Sequence, residues 1–251
     1  MNKLPTRLDT TYNDAMVRIQ SQVEQHSLLA MRALGWLSNA NRPLGVTELI
    51  EALAIKPGDS GLDEEGKTDP MLIVSVCAGL VTIDTESNII RLVHFTIGEQ
   101  LERTRAQLFP MIDNVITETF LTYLMFEELP LIVQEHKSSE DKRPLNKALL
   151  DRSFLAYALS NWGSHARGTL LADTRSLTVT VLKDSDRVWL TFQWIRYMFS
   201  CRLTGVHLAA DFNLNEILAD LLSYDVAANA WDVEGRTPLA WAAARGHLPV
   251  V

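Results

Sequence analysis

The sequence predicts a mainly α-helical protein with one small β-hairpin. Three observations lead to this prediction. Residues 69–96 contain an apolar helical stretch followed by two β-rich runs around a turn. Residues 110–200 show helical spacing of apolar side chains throughout. The C-terminal part of the chain contains an internal repeat, which indicates an array of small helical units.

The composition is that of a soluble protein with a substantial core: 47% of the 251 residues are hydrophobic and 22% are charged. The net charge of -8 argues against broad binding of nucleic acid or anionic membranes, which needs a basic surface. Cys77 and Cys201 lie far apart amid apolar neighbours, so we expect buried thiols in a reducing compartment. The N-terminus has no apolar signal segment, and the run Met71–Ile83 is too short for a membrane span of ~20 residues. We therefore expect a cytoplasmic protein.

The first part of the chain reads as helices. A lead-in over 1–24 carries a cap at Asp9-Thr10-Thr11, followed by apolar residues at helical spacing. Two further helices are predicted at about 25–40 and 48–55, and an acidic loop follows them.

The organising element follows that loop. Asp69 is suited to cap a helix and Pro70 to its first position. Apolar residues on every face of 71–80 predict a helix buried almost all round, which Gly79 can end. Two β-rich runs, at 81–83 and 89–92, then flank a turn. A buried helix followed by a hairpin predicts a winged helix, which we place at residues 25–105. A capping box at Thr96 and Glu99 predicts the next helix, to about Arg105.

Residues 106–201 are predicted to form a helical linker domain. The charged run His136–Arg143 reads as a solvated loop. The β-branched run Leu177–Leu182 would suit a strand, but no partner strand is visible, so it is assigned to a helix. The aromatic residues of 188–199 are typical of a core between helices.

Residues 202–251 are predicted to form about one and a half ankyrin repeats. The stretch from Thr204 to Ala210 aligns with that from Thr237 to Ala243 at the ankyrin period, and Thr-Pro-Leu is an ankyrin turn signature. Leu239, Trp241, Leu248, Val250 and Val251 then belong to an incomplete unit, and we expect them to be partly exposed.

These residues together resemble the C-terminal half of fungal-type NACHT–ankyrin proteins of the STAND signalling class. The winged helix looks like the one named after GPI inositol-deacylase-like proteins. The matching stretches are LPTRLDTTYNDAMVRI, RPLGVTELIEALAI, LIVSVCAGLVTIDTESNIIRLVHFT, EQLERTRAQLFP and FLAYALSNWGSHARG. One departure is Ile97-Gly98, where the family more often has polar residues. The resemblance implies coupling to an NTPase module, but these 251 residues contain no such module, so its switching activity is not carried over.

Residues Gly61–Thr68 satisfy the phosphate-loop pattern G-x-x-x-x-G-K-[ST]. A nucleotide site using Lys67 is therefore an alternative function. The preceding segment reads as a helix end, whereas a phosphate loop follows a buried strand. Three carboxylates at 63–65 would also repel a polyanion. We therefore interpret this stretch as an acidic surface loop.

DNA binding by the winged helix is a second alternative. A helix that recognises DNA bases needs Arg, Lys, Asn or Gln on its exposed face, and residues 71–80 contain none of them. Residues 31–105 also carry seven Lys/Arg against eleven Asp/Glu, which opposes binding driven by counterion release. Packing against a neighbouring domain is the better interpretation.

No catalytic or metal-ligating pattern emerges. Ser164-His165 lacks the G-x-S-x-G context, and the six histidines lie far apart without H-E-x-x-H or paired cysteines. We expect no cofactor, no metal and no enzymatic activity. The expected function is interaction with a protein partner through the ankyrin turn tips. The candidate binding residues there are Ala230, Trp231, Asp232 and Glu234.

Overall fold

The computed structural model describes residues 4–136, 141, 143–196, 202–224 and 226–248. Within this part the chain is mainly helical, as predicted. It divides into two compact units: the first comprises Met1–Ile55 and Asp63–Ile112, the second Lys56–Leu62 and Asp113–Val251. The segment predicted as ankyrin start lies in the second unit, and so does the segment predicted as linker domain from Asp113 onwards. The boundary between these two segments stays a prediction.

The first unit contains a small sheet and its covering helices. Its elements are α1 (Leu4–Gln20), α2 (Glu24–Asn39), β1 (Leu44–Gly45), α3 (Val46–Ala54), α4 (Pro70–Val76), β2 (Val81–Asp84), β3 (Ile89–Leu92), α5 (Phe95–Arg103) and α6 (Arg105–Leu108). Helix α1 begins at Leu4, ahead of the predicted cap at Asp9.

The predicted hairpin is confirmed, and a third strand joins it. Strands β2 and β3 pair antiparallel, with Ile83 opposite Ile90, and the short β1 pairs with the other edge of β3 through Leu44. The turn forms because the Asp84 carboxylate accepts hydrogen bonds from the amides of Glu86 and Ser87. Strand β1 is only two residues long, too short to produce an alternating pattern in the sequence.

Helix α4 is shorter and more exposed than predicted. Asp69 caps it through the Met71 amide, and the chain leaves it through Ala78 and Gly79, both at positive φ. Ile73 is fully buried, but the Met71 side chain is 65% exposed. The expectation that this helix is buried almost all round was therefore wrong. An apolar run shows that burial is favourable, but the neighbouring elements cover only one face of it.

The N-cap of helix α5 lies two residues before the predicted one. His94 is the N-cap, and its Nδ1 accepts a hydrogen bond from the Thr96 amide. Thr96 lies inside the helix, so the predicted capping box with Glu99 does not form. An imidazole nitrogen here replaces the hydroxyl that the sequence pattern suggested.

Helices make up most of the described part of the second unit. Its helices are α7 (Ile112–Leu124), α8 (Leu129–His136), α9 (Arg143–Leu150), α10 (Ser153–His165), α11 (Ala172–Lys183), α12 (Ser185–Arg196), α13 (Gly205–Asp211), α14 (Asn215–Ser223) and α15 (Pro238–Arg245).

The helical assignment of Leu177–Leu182 is confirmed, because this run lies inside α11. Two of its threonines donate hydrogen bonds from their hydroxyls to backbone carbonyls one turn earlier in the helix. Thr178 Oγ1 donates to the Thr174 carbonyl at 2.7 Å, and Thr180 Oγ1 donates to the Ser176 carbonyl at 2.9 Å. These bonds give the threonine hydroxyls an acceptor inside the helix, although β-branched residues prefer strands.

Other expectations concern the core. Cys77 is buried, and burial raises the pKa of its thiol to about 12. Trp189 and Phe192 of the aromatic run in α12 are buried as expected. Trp194 of the same run is half-buried, and Tyr197, Phe199 and Cys201 lie outside the described residues.

The segment of the predicted repeat contains three helices, two of which have matching ends. Thr204 and Thr237 are the N-caps of α13 and α15. Asn213 and Gly246 follow the same two helices, and both adopt a positive φ. Each pair is separated by the sequence offset of the predicted repeat. The backbone therefore repeats its conformation at both ends of the helix, as that offset predicts.

Candidate interaction surface

The turn that holds the four candidate residues is built around Asp232. The Asp232 amide donates to the carbonyl of Arg236 at 2.9 Å, and Gly235 between them adopts a positive φ that suits glycine. The Asp232 side chain is fully buried rather than presented at the tip. The structure thus differs from the prediction at this residue, because its carboxylate is used inside the turn.

Four donors converge on the Asp232 carboxylate. Oδ1 accepts from the amides of Glu234 and Arg236 at 2.9 and 2.8 Å. Oδ2 accepts from Arg236 Nε at 2.8 Å and from the indole nitrogen of Trp241 at 3.0 Å. Burial by itself would raise the pKa of Asp232, but these hydrogen bonds outweigh it and hold the pKa at about 2. The carboxylate therefore stays charged and fixes the turn on helix α15.

The other candidate residues face solvent to different degrees. Trp231 is 66% exposed, which is unusual for an indole and places an apolar ring at the tip. Glu234 is also exposed, and its Oε2 lies 2.9 Å from Arg236 Nη1. Ala230 is half-buried. The turn can therefore present an aromatic ring and one acidic side chain to a partner.

Beside the turn lies a cleft of about 500 Å³ that sequence reasoning did not identify. We call it the arginine cleft; it is lined by Asp211, Glu234, Arg236, Ala240, Trp241, Ala244 and Arg245. Arg245 Nε and Nη2 donate to the two carboxylate oxygens of buried Asp211 at 2.9 and 3.2 Å. The guanidinium of Arg236 lies 4.8 Å from the Trp241 ring centroid. Contacts with buried side chains thus fix the positions of both arginine cations.

Two histidines stabilise the packing of α13 against α15 at this surface. Buried His207 bonds through Nδ1 to Thr204, and its Nε2 lies 3.4 Å from the Arg236 carbonyl. Burial lowers the pKa of His207, which favours the neutral ring. His247 Nε2 lies 2.9 Å from the Asp211 carbonyl. Both rings serve structural contacts between the predicted repeats.

The exposure expected for the last predicted unit is found only in part. Leu239 and Leu248 are exposed, whereas Trp241 is buried by its contacts with Asp232 and Phe192. Val250 and Val251 lie outside the described residues. Trp241 therefore belongs to the core of the turn and not to its open face.

The phosphate-loop pattern adopts a different geometry from a phosphate cradle. The element before it is helix α3, and helix α4 begins only at Pro70, beyond Lys67. Lys67 Nζ donates to both oxygens of Glu64 at 2.8 and 2.7 Å. The amide of Gly66 donates a hydrogen bond to Asp63 Oδ1 at 3.0 Å. Carboxylates of the loop itself thus occupy donors that would otherwise face a phosphate.

The winged helix exposes apolar side chains instead of a basic reading face. The exposed residues of α4 are Met71, Leu72 and Ser75, so this face carries no Arg, Lys, Asn or Gln side chain that could read a base edge. Phe95, at the start of α5, is 71% exposed. A groove of about 500 Å³ lined by α1, the Gly79 turn and α5 lies in the same unit. This surface is suited to contact with another protein element.

Among the described residues, no group of histidine, cysteine or carboxylate side chains could hold a metal ion. The helices of the same part are too short or too polar to cross a bilayer.

Sequence reasoning did not identify Asp211, Arg236 and Arg245, which line the arginine cleft. Asp232 and Arg236 lie close together in one turn, a spacing that could have suggested their pairing. Asp211 and Arg245 lie on different helices far apart in the sequence, so only the packing of α13 on α15 brings them together.

No curated protein and no solved structure matches the chain. Residues 17–108 match the model of a family described as GPI inositol-deacylase, winged helix domain. This stretch spans helices α2–α6, the three strands and the end of α1. The chain therefore contains a winged helix domain of the GPI inositol-deacylase type.

Proposed function

We propose that this chain is a non-enzymatic protein-interaction scaffold of a STAND-type signalling protein. In this proposal residues 202–251 begin an ankyrin array that binds a protein partner through its turn tips. The winged helix domain couples that array to an NTPase module, in the same protein or in trans. The protein acts in the cytoplasm and binds neither nucleic acid nor membranes.

The observation that carries the proposal is the conformational repeat in residues 204–246. Capping threonines and left-handed residues recur at the ankyrin period. The short link at Asn213 joins α13 to α14, and His247 ties the second unit of the repeat to the first. Repeats of this kind stack to bury a continuous core and display their turns.

The exposed Trp231 supports a binding role for the turn. A large aromatic ring in water is unfavourable, and tryptophan is enriched among the residues that dominate binding energy at interfaces. The exposed Phe95 and Met71 support contact of the winged helix domain with a second module in the same way.

A photo-cross-linking experiment tests this function. Benzoylphenylalanine is placed at position 231 and, as a control, at the exposed Glu65 of the acidic loop. We expect a discrete adduct in extracts of the source organism only from position 231. An excess of unlabelled protein should suppress that adduct, and the same excess of Trp231→Ala should not. Equal labelling from both positions would contradict the proposal.

A further inference from the structure

The arginine cleft has features beyond those that an ion pair needs when it only joins two helices. Arg245 is fixed by a buried carboxylate through Nε and Nη2, and Arg236 is fixed by another through Nε. The side chains of Arg245 and Arg236 nevertheless stay 45% and 41% exposed. Within the described part of the chain, Nη1 of Arg245 and Nη2 of Arg236 make no hydrogen bond.

The floor of the cleft allows close approach. Ala240 and Ala244 stand one helical turn apart on α15 and are both exposed. Their methyl groups leave space in which the main chain of an extended segment can lie. Fixed guanidinium groups lose little conformational entropy when they bind, which favours planar, bidentate recognition of carboxylates.

We propose that the arginine cleft binds an acidic segment of a protein partner, with a partner carboxylate on the outward edge of Arg245. This inference rests on the proposed function, because it names the chemistry of the partner at the same surface. Asp211 and Asp232 lie buried beneath their arginines, where Asp211 takes the Nε–Nη2 edge of Arg245 and Asp232 takes Nε of Arg236. Among the residues that line the cleft, Glu234 carries the exposed carboxylate, and its contact with Arg236 Nη1 limits how much that arginine contributes.

The test measures anisotropy of two fluorescein-labelled octapeptides. In one, glutamate alternates with leucine and alanine; in the other, glutamine replaces every glutamate. We expect the full chain to bind the glutamate peptide at least about tenfold more tightly, with an affinity that falls as salt is added. Equal affinity for both peptides, or no binding up to about 1 mM, would overturn the proposal.

Variants that are expected to change the affinity in opposite directions separate an effect on binding from an effect on folding. Arg245→Gln should lower the affinity for the glutamate peptide about tenfold. Glu234→Gln should strengthen its binding, because it removes a competing carboxylate. Arg91→Gln, which removes an exposed arginine of the winged helix, is the matched control and should change nothing. If Arg245→Gln does not fold, Arg245→Lys keeps the charge and should still weaken binding, because it loses the planar edge.

The outcomes distinguish this inference from the function on which it rests. If a partner is cross-linked at position 231 but the chain does not prefer the glutamate peptide, the inference of an acidic ligand is overturned. The proposed function is then not overturned. Tighter binding of a single-stranded oligonucleotide at the same arginines would also overturn it, in favour of nucleic acid. An effect of Arg245→Gln without any effect of Glu234→Gln would mean that the carboxylate lies elsewhere.

Discussion

Replacing Asp232 by asparagine should destabilise the second unit by removing the charge that organises the turn. The substitution keeps the shape of the side chain, so it creates no cavity. It supplies only one accepting oxygen, whereas four donors from Glu234, Arg236 and Trp241 converge on the carboxylate. The amide nitrogen would also face N–H donors, which leaves buried donors without partners.

The magnitude follows from the pKa. In the folded protein the pKa of Asp232 is about 2, against an ordinary value of 3.8. One pKa unit corresponds to about 1.4 kcal/mol, so the charged form contributes about 2 kcal/mol at neutral pH. Because the folded value is the lower one, this stabilisation is complete well above pH 4 and is lost as the pH falls towards 2. At pH 3 about half of it should remain.

Urea denaturation of the wild type and of Asp232→Asn at pH 7 and pH 3 measures this difference. Hydrogen exchange at the amides of Glu234 and Arg236 gives a local reading of the same turn. Asp63→Asn is the matched control, because Asp63 also accepts a backbone amide but lies in an exposed loop. Its effect should stay within about 0.5 kcal/mol. A loss from Asp232→Asn that is equally small, or equal at both pH values, would refute the reasoning.

Three further predictions concern other parts of the chain. Leu80→Ala should cost about 2–5 kcal/mol in chemical denaturation, because Leu80 is buried beside strand β2, whereas Asp63→Ala should stay within about 0.5 kcal/mol. Titration with a fluorescent ATP analogue and magnesium should show no saturable binding, and Lys67→Ala should change nothing; micromolar binding abolished by that substitution would establish a nucleotide site. Burial lowers the pKa of His207, so its contribution to stability is present above pH 6.5 and is lost as the pH falls below that value. The melting temperature should therefore drop less between pH 7.5 and 5.5 in His207→Gln than in the wild type; an equal drop would show that another group controls this range.

Local chemistry was enough to predict several elements of the fold. Asp69-Pro70 starts α4, Gly79 ends the segment that follows it, and the turn after Asp84 connects the two longer strands. The helical conformation of Leu177–Leu182 also followed from the sequence, because no second β-rich run lay within reach. The offset of the internal repeat predicted where two helices begin. Most of these features depend on residues close together in the chain.

The tertiary structure decided which faces of those elements are covered. Met71 is exposed although it belongs to an apolar run, because only one side of α4 meets neighbouring elements. Asp232 looked like a surface residue of a turn tip, yet its carboxylate turns inward to Arg236 and Trp241. The pairing of Asp211 with Arg245 has no signal in the sequence, since it depends on α13 and α15 lying side by side. Propensities and periodicity act over a few residues, whereas burial and ion pairing depend on what folding brings together.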